Sequence, residues 1–280
     1  MDKIIIPKSG YNYIEVFLTF NCQLNCPYCI NKTYGKVAHY KPLSVEDWIS
    51  GLSRLDTNDI PITFGGGEPT VHKDFYKIVN GIDKPMDLLT NGQFDKHTFM
   101  ANISAKKFKR NAPYASIRFS YHSGITPLFP LLRKARAMIK RGYEIGIWAV
   151  LYPNCINDIV YARQIAEIDF GLDFRLKDFL GIYNGKLYGT YKYPEAVDGK
   201  KKLCECKPSE MLISCNGNLY KCHYDLYNDV NSYGNILDKN VKVPDDYIKC
   251  KNMGLCSPCD AKGPKYDRFQ KPGFCSVTIR

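Results

Sequence analysis

The stretch "YIEVFLTFNCQLNCPYC", residues 13–29, runs an alternating apolar segment straight into three cysteines. Ile14, Val16, Leu18 and Phe20 recur at every second position, the period of a β-strand with one face in a core. Cys22, Cys26 and Cys29 then follow as C-x3-C-x2-C. Thiolates hold zinc or iron–sulfur clusters, and a closed structural site takes four ligands. Three thiols leave one position for something else. That position belongs either to a small molecule or to a fourth protein ligand from elsewhere, for which His39 is the candidate.

Working outward, strand-like and helix-like segments alternate as far as residue 180. "PITF" (61–64), "MDLLT" (86–90), "ASIRFS" (115–120), "YEIGIWAVL" (143–151) and "DFRLKDFL" (173–180) read as further strands. Between them Ser44 caps a helix bearing Val45, Trp48, Ile49 and Leu52 at helical spacing. Helical segments follow at 72–82, from Thr98 to Phe108, and at 157–168. Another is striped by Leu128, Leu131, Leu132, Ala135, Met138 and Ile139 and closed by Gly142. Six β-then-α units imply right-handed crossovers and a parallel sheet, which predicts an α/β fold built as an open or partial (β/α)6 barrel over residues 1–180. Ligands of such folds bind at the carboxyl ends of the strands, where the cysteine loop lies.

Beyond residue 180 the pattern changes. Residues 181–203, rich in Tyr, Gly and Lys, read as a linker or substrate-facing loop, and residues 204–280 carry eight of the twelve cysteines. A small metal-stapled, cysteine-rich extension is expected there. With 280 residues, 45% apolar and 24% charged, the chain has the make-up of a globular protein with a substantial core. No apolar run is long enough for a membrane span, and three isoleucines closed by Pro7 are too few for a signal peptide. The expected compartment is the cytoplasm, where clustered thiols serve metals more often than disulfides. The net charge of +11 is scattered in short groups, which argues against nucleic acid as a partner.

The cysteine spacing, with Tyr28 before the last thiol, resembles the signature of the radical S-adenosylmethionine (radical SAM) enzymes. "FGGGEPT", residues 64–70, is similar to their glycine-rich motif. The resemblance covers residues 13–180 and implies a radical SAM partial barrel. In it Cys22, Cys26 and Cys29 hold a [4Fe-4S] cluster, and the fourth iron binds S-adenosylmethionine. One electron from a flavodoxin- or ferredoxin-like reductant then releases a 5'-deoxyadenosyl radical, which takes a hydrogen atom from substrate. By the same resemblance Gly65, Gly66, Gly67 and Glu68 receive the methionine moiety, Glu68 facing its ammonium group. Tyr28, Thr90, Asn91 and Ser120 are further cofactor-binding candidates, and the backbone at Val150 is one for the adenine.

In the extension, Cys206, Gly217 and Cys222 resemble the opening of the SPASM and Twitch extensions of that family. "CKNMGLCSPC" adds Cys250, Cys256 and Cys259. A full SPASM pattern has one more cysteine where Tyr247 stands, and a longer last spacing. One auxiliary [4Fe-4S] cluster, held by Cys206, Cys222, Cys256 and Cys259, is therefore expected. Cys204, Cys250 and Cys275 are alternative members, and a zinc knuckle on "CSPC" is the competing metal site. Cys155 and Cys215 read as packed thiols, and His223 as a neighbour of Cys222 without a metal role.

An auxiliary cluster suits oxidation or bond formation on a small metabolite, with no leader-binding domain expected before Tyr13. The alternatives are a peptide-modifying maturase, a glycyl-radical activase, and a zinc or iron–sulfur protein that binds or transfers electrons without catalysis. The last has no use for "FGGGEPT". No acid or base is assigned; Tyr121, His122 and Asp178 stand at strand ends.

Overall fold

The computed structural model describes residues 2–8, 10–34, 41–263 and 277–280, so the expectations placed on His39 and Cys275 lie outside the described residues. The N-terminal strands are β1 (Ile4–Ile5), β2 (Tyr13–Phe17), β3 (Leu55–Asp56), β4 (Ile62–Gly65), β5 (Met86–Thr90), β6 (Ile117–Tyr121), β7 (Ile145–Leu151) and β8 (Phe174–Asp178). Those that follow are β9 (Gly181–Tyr183), β10 (Lys186–Tyr188), β11 (Lys202–Lys207), β12 (Glu210–Ile213), β13 (Leu219–Tyr220), β14 (Ile248–Met253) and β15 (Thr278–Ile279). The helices are α1 (Ile30–Tyr34), α2 (Val45–Ser53), α3 (Phe75–Gly81), α4 (Lys96–Asn102), α5 (Leu128–Ile139), α6 (Ile156–Ile168) and α7 (His223–Asn228).

Eight strands form one sheet in the order β13-β12-β2-β4-β5-β6-β7-β8. Every neighbouring pair is parallel except β12–β13. Six of these strands are the predicted ones, and the helices between them cover the outer face, so the α/β partial-barrel expectation holds. Parallel strands covered on both sides bury both sets of side chains, and β2 is buried at all five positions. Its outer set, Ile14 and Val16, joins the main core with Leu18, Trp48 and Leu52. Phe17 faces the other way, toward Tyr220, Leu226 and Tyr227, and Phe20 packs with it. The alternation thus stops before Phe20, because β2 ends at Phe17 and the chain turns into the cysteine loop.

The helix signals behave as their chemistry dictates. Ser44 Oγ accepts from Asp47 N–H at 3.0 Å and caps α2. Along α5, Leu131, Leu132, Ala135 and Met138 are buried, whereas Ile139 at the end of the stripe is exposed.

The cysteine-rich region also enters the sheet. β12 lies parallel beside β2, with Glu210 opposite Tyr13 and Leu212 opposite Glu15. A separate three-stranded sheet, ordered β14-β11-β15, carries Cys204, Cys206 and Cys250. No described helix is long and apolar enough to cross a membrane.

Candidate functional site

At the carboxyl ends of the parallel strands a cavity of about 480 Å³ opens. Cys22, Cys26 and Cys29 line it, as do Tyr28, Gly65, Gly66, Gly67, Glu68, Thr90, Asn91, Ser120 and Val150. Every barrel residue singled out in the sequence as a cofactor candidate therefore faces one space. The loop after β4 is tied to the cysteine loop through the backbone: Gly67 N–H donates to Thr19 O at 2.9 Å and Glu68 N–H to Asn21 O at 2.8 Å. This approach needs glycine. A Cβ on Gly67 would sit 2.3 Å from Asn21 O, and Gly66 has φ +94°.

Glu68 is buried, and it collects donors from two loops. Its Oε1 accepts from Thr70 N at 3.1 Å, Thr70 Oγ1 at 2.6 Å and Thr90 Oγ1 at 2.7 Å, and its Oε2 accepts from Asn91 N at 2.7 Å. Burial pushes its carboxyl upward, and these hydrogen bonds oppose that shift. A carboxylate offers about four acceptor sites, so the remaining capacity lies on Oε2. Asn91 in turn reaches the cysteine loop, its Nδ2 lying 3.6 Å from Cys22 Sγ. Leu24 N–H also points at Cys22 Sγ, at 3.4 Å. Asn31 on α1 donates to Gly66 O and accepts from Tyr227 Oη at 2.7 Å, which joins the cysteine loop, the glycine loop and α7.

The alternation along β6 sends Ser120 and His122 into the cavity, whereas Ile117, Phe119 and Tyr121 enter the core. His122 Nδ1 lies 3.0 Å from Tyr28 Oη. Burial lowers the imidazole to about 4 and raises the phenol, so at neutral pH both are uncharged and share one hydrogen bond whose direction the His122 tautomer sets. Tyr28 also packs on Tyr152 with 4.6 Å between ring centroids. Tyr152 meets Tyr183 at 5.2 Å, and Tyr183 meets Tyr188 at 6.2 Å. The β9–β10 hairpin within residues 181–203 thus delivers an aromatic bank to the cysteine loop. Of the three strand-end residues, His122 and Asp178 line the cavity.

None of the remaining walls is among the cofactor candidates read from the sequence, and Phe20 stands here instead of in the core that the strand period predicts. Glu15, Phe20, Lys177, Phe179, Leu180, Thr190 and Lys262 also face the cavity. Only the inward phase of β2 and β8 signals Glu15 and Lys177. Thr190 and Lys262 come from irregular segments and carry no periodic signal.

The C-terminal thiols divide. Cys206 and Cys222 are buried together, with Cys204 and Cys250 packed against them. Cys204 stands opposite Cys250 across the β11–β14 pair, and the Cys206 and Cys250 thiols hydrogen-bond to each other. Cys256 packs beside Cys204. Cys259, expected among the same ligands, lines the barrel cavity instead, beside the charges of His223 and Lys262. Buried Lys221 approaches Cys222 Sγ at 3.6 Å while paired with Asp225. A cation beside gathered thiols is the charge balance that a thiolate-bound metal cluster requires. At the barrel loop, three thiols around an open cavity fit a cluster with one vertex left for a ligand.

Residues 16–108 match the family model described as the Radical SAM superfamily. Among solved structures, Streptococcus suis SuiB bound to precursor peptide SuiA superposes with TM-score 0.59 at 15% identity, over 83% of this chain and 64% of that one. SuiB bound to S-adenosylmethionine gives 0.58 at 16%, over 83% and 63%. Native anSMEcpe with bound AdoMet and Kp18Cys peptide gives 0.56 at 18%, over 81% and 77%. The chain thus spans less than two thirds of the length of SuiB, and at these identities the likeness is one of fold. The matched segment contains both the cysteine loop and the glycine loop, so it is in this part of the barrel, about a third of the chain, that the sequence is similar to the radical SAM superfamily.

Proposed function

We propose that the cavity binds S-adenosylmethionine on a [4Fe-4S] cluster held by Cys22, Cys26 and Cys29, and that the enzyme oxidises its substrate or forms a new bond on it. When bound, that pair supplies a 5'-deoxyadenosyl radical that removes a hydrogen atom from substrate. The chain's own residues do the positioning. Gly66 and Gly67 bring the glycine loop against the cysteine loop, and Glu68 Oε2 offers an acceptor for an ammonium group. Ser120 and the backbone at Val150 border the same space, and Asn91 Nδ2 and Leu24 N–H donate toward the Cys22 thiolate. Leu24, Phe179 and Leu180 add apolar wall to the same space. The observation that carries this reading is the convergence of all three thiols and the glycine loop on one cavity.

The C-terminal thiols Cys206, Cys222, Cys250 and Cys256, with Cys204 beside them, are the proposed holders of an auxiliary cluster. Such a cluster supports oxidation, since a substrate radical losing a further electron needs an acceptor. A small metabolite fits a cavity of about 480 Å³, within the range of small-molecule sites. A peptide substrate is the second reading, favoured by the peptides bound in the SuiB and anSMEcpe structures. The test is release of 5'-deoxyadenosine from S-adenosylmethionine by the anaerobically reconstituted, chemically reduced protein. Formation in the parent and its loss in Cys26→Ala is the expected result; no release from a parent carrying its full iron content overturns the assignment.

A further inference from the structure

Four side chains from four separate segments meet between the cavity and the C-terminal thiols. They are Glu15 on β2, Glu210 on β12, His223 at the start of α7, and Asp260 in the turn after Cys259. His223 Nδ1 lies 2.9 Å from Asp260 Oδ1 and 3.3 Å from Glu210 Oε1, and its Nε2 lies 3.6 Å from Glu15 Oε2. The ligating atoms of Glu210, His223 and Asp260 all fall within 4.8 Å of one another, and all three residues are buried.

Glu210 is the unusual member. It is 0% exposed, and among the described residues neither of its carboxylate oxygens has a hydrogen-bond donor. Asp260, by contrast, accepts from His223 N at 2.8 Å and Tyr224 N at 3.1 Å. A buried carboxylate without a donor is costly, and three carboxylates here surround a single imidazole. The nearby Lys221 is committed to Asp225. The one imidazole, even when protonated, cannot balance three buried carboxylates, so a further positive charge belongs against Glu210.

The spacing indicates what. Ligands bound about 2.1 Å from a divalent ion lie about 3.0 Å apart on an octahedral edge and about 3.4 Å apart on a tetrahedral one. The separations of 2.9 and 3.3 Å from Nδ1 match such edges. Metal-bound histidines also commonly direct the second ring nitrogen to a carboxylate, which is where Glu15 stands. We propose that Glu210, His223 through Nδ1, and Asp260 bind a single divalent cation of the class that takes oxygen and nitrogen ligands, with Glu15 orienting the imidazole. The cation joins β12, α7 and the turn after Cys259, and the Glu15 carboxylate links it to β2. It thus fixes the extension to the first barrel strand. Cys222 and Cys259 each adjoin one of its ligands in sequence, so it also sets where these thiols stand. This site involves no thiol and is independent of the function proposed above.

Mn²⁺ is the appropriate probe, because it prefers carboxylate and imidazole to thiolate. The full-length, iron-reconstituted protein is stripped of loosely held metal with a chelator and titrated with Mn²⁺, free ion being counted by electron paramagnetic resonance. One Mn²⁺ per chain and a raised Tm are expected in the parent. Glu210→Gln abolishes both effects, and Glu15→Gln weakens binding by about 10–100-fold. The Tm of Glu210→Gln without Mn²⁺ equals or exceeds the parent's, since an unmatched buried charge has gone. Should that variant not fold, Glu15→Gln alone decides by its affinity. A parent that binds no Mn²⁺, or variants that bind it as the parent does, overturn the proposal and leave a proton shared between Glu210 and Asp260.

Discussion

Two groups of thiols in this chain are arranged in opposite ways. The barrel group, Cys22, Cys26 and Cys29, stands on a loop at the mouth of a parallel sheet and faces open space. The C-terminal group, Cys204, Cys206, Cys222, Cys250 and Cys256, is packed on a small antiparallel sheet among its own members, with Lys221 against it. The first is short of a ligand and has a cavity; the second has thiols to spare. A reactive centre needs a vacant coordination position and room for a substrate, whereas a centre that stores or passes electrons needs full ligation and charge balance.

Lys221→Met should have the largest effect and should fall on the closed group alone. It leaves Asp225 buried with Asn231 but no cation, a loss of about 3–5 kcal/mol, and the iron of the proposed auxiliary cluster should be released more readily than that of the proposed barrel cluster. Denaturant titration and iron counts on the same samples check this. Gly67→Ala strikes the open group, because its Cβ would meet Asn21 O at 2.3 Å. A cost of about 3 kcal/mol is expected, with S-adenosylmethionine affinity lost and C-terminal iron kept.

Lowering the pH should also weaken the open group. Folded His122 takes up a proton only near pH 4, whereas the unfolded chain does so near 6.5. Between these values the unfolded state binds more protons, so stability is complete above pH 6.5 and falls as the pH drops toward 4. The loss is about 2 kcal/mol after allowance for the partial exposure of the ring, and His122→Phe should flatten that part of the stability profile. Tyr28→Phe, which removes one hydrogen bond to His122, should cost about 1 kcal/mol, read as a small fall in Tm with iron content unchanged.

The barrel was legible because its signals are local. The strand period at 13–18, the cap at Ser44 and the stripe at 131–138 each follow from one segment's own chemistry, and the thiol and glycine motifs lie on the loops between. What escaped the sequence depends on distant pairing. "EMLI", residues 210–213, is too short to announce that it lies beside Tyr13–Val16. The division of the C-terminal thiols is set by the pairing of Cys204 with Cys250 and by the turn that carries Cys259 to the cavity. Spacing along the chain grouped Cys256 and Cys259 together, but the fold places them in different surroundings. His223, read as a bystander to Cys222, sits among three carboxylates that come from segments over 200 residues apart at the extremes.

The most direct measurement compares two variants of the reconstituted protein, one with Cys22, Cys26 and Cys29 all replaced by alanine, the other with Cys206, Cys222 and Cys250 replaced. Iron, sulfide and 5'-deoxyadenosine are measured for both against the parent. The account predicts that each variant loses about four irons, and that only the first loses 5'-deoxyadenosine. Continued 5'-deoxyadenosine release by the first variant would contradict it.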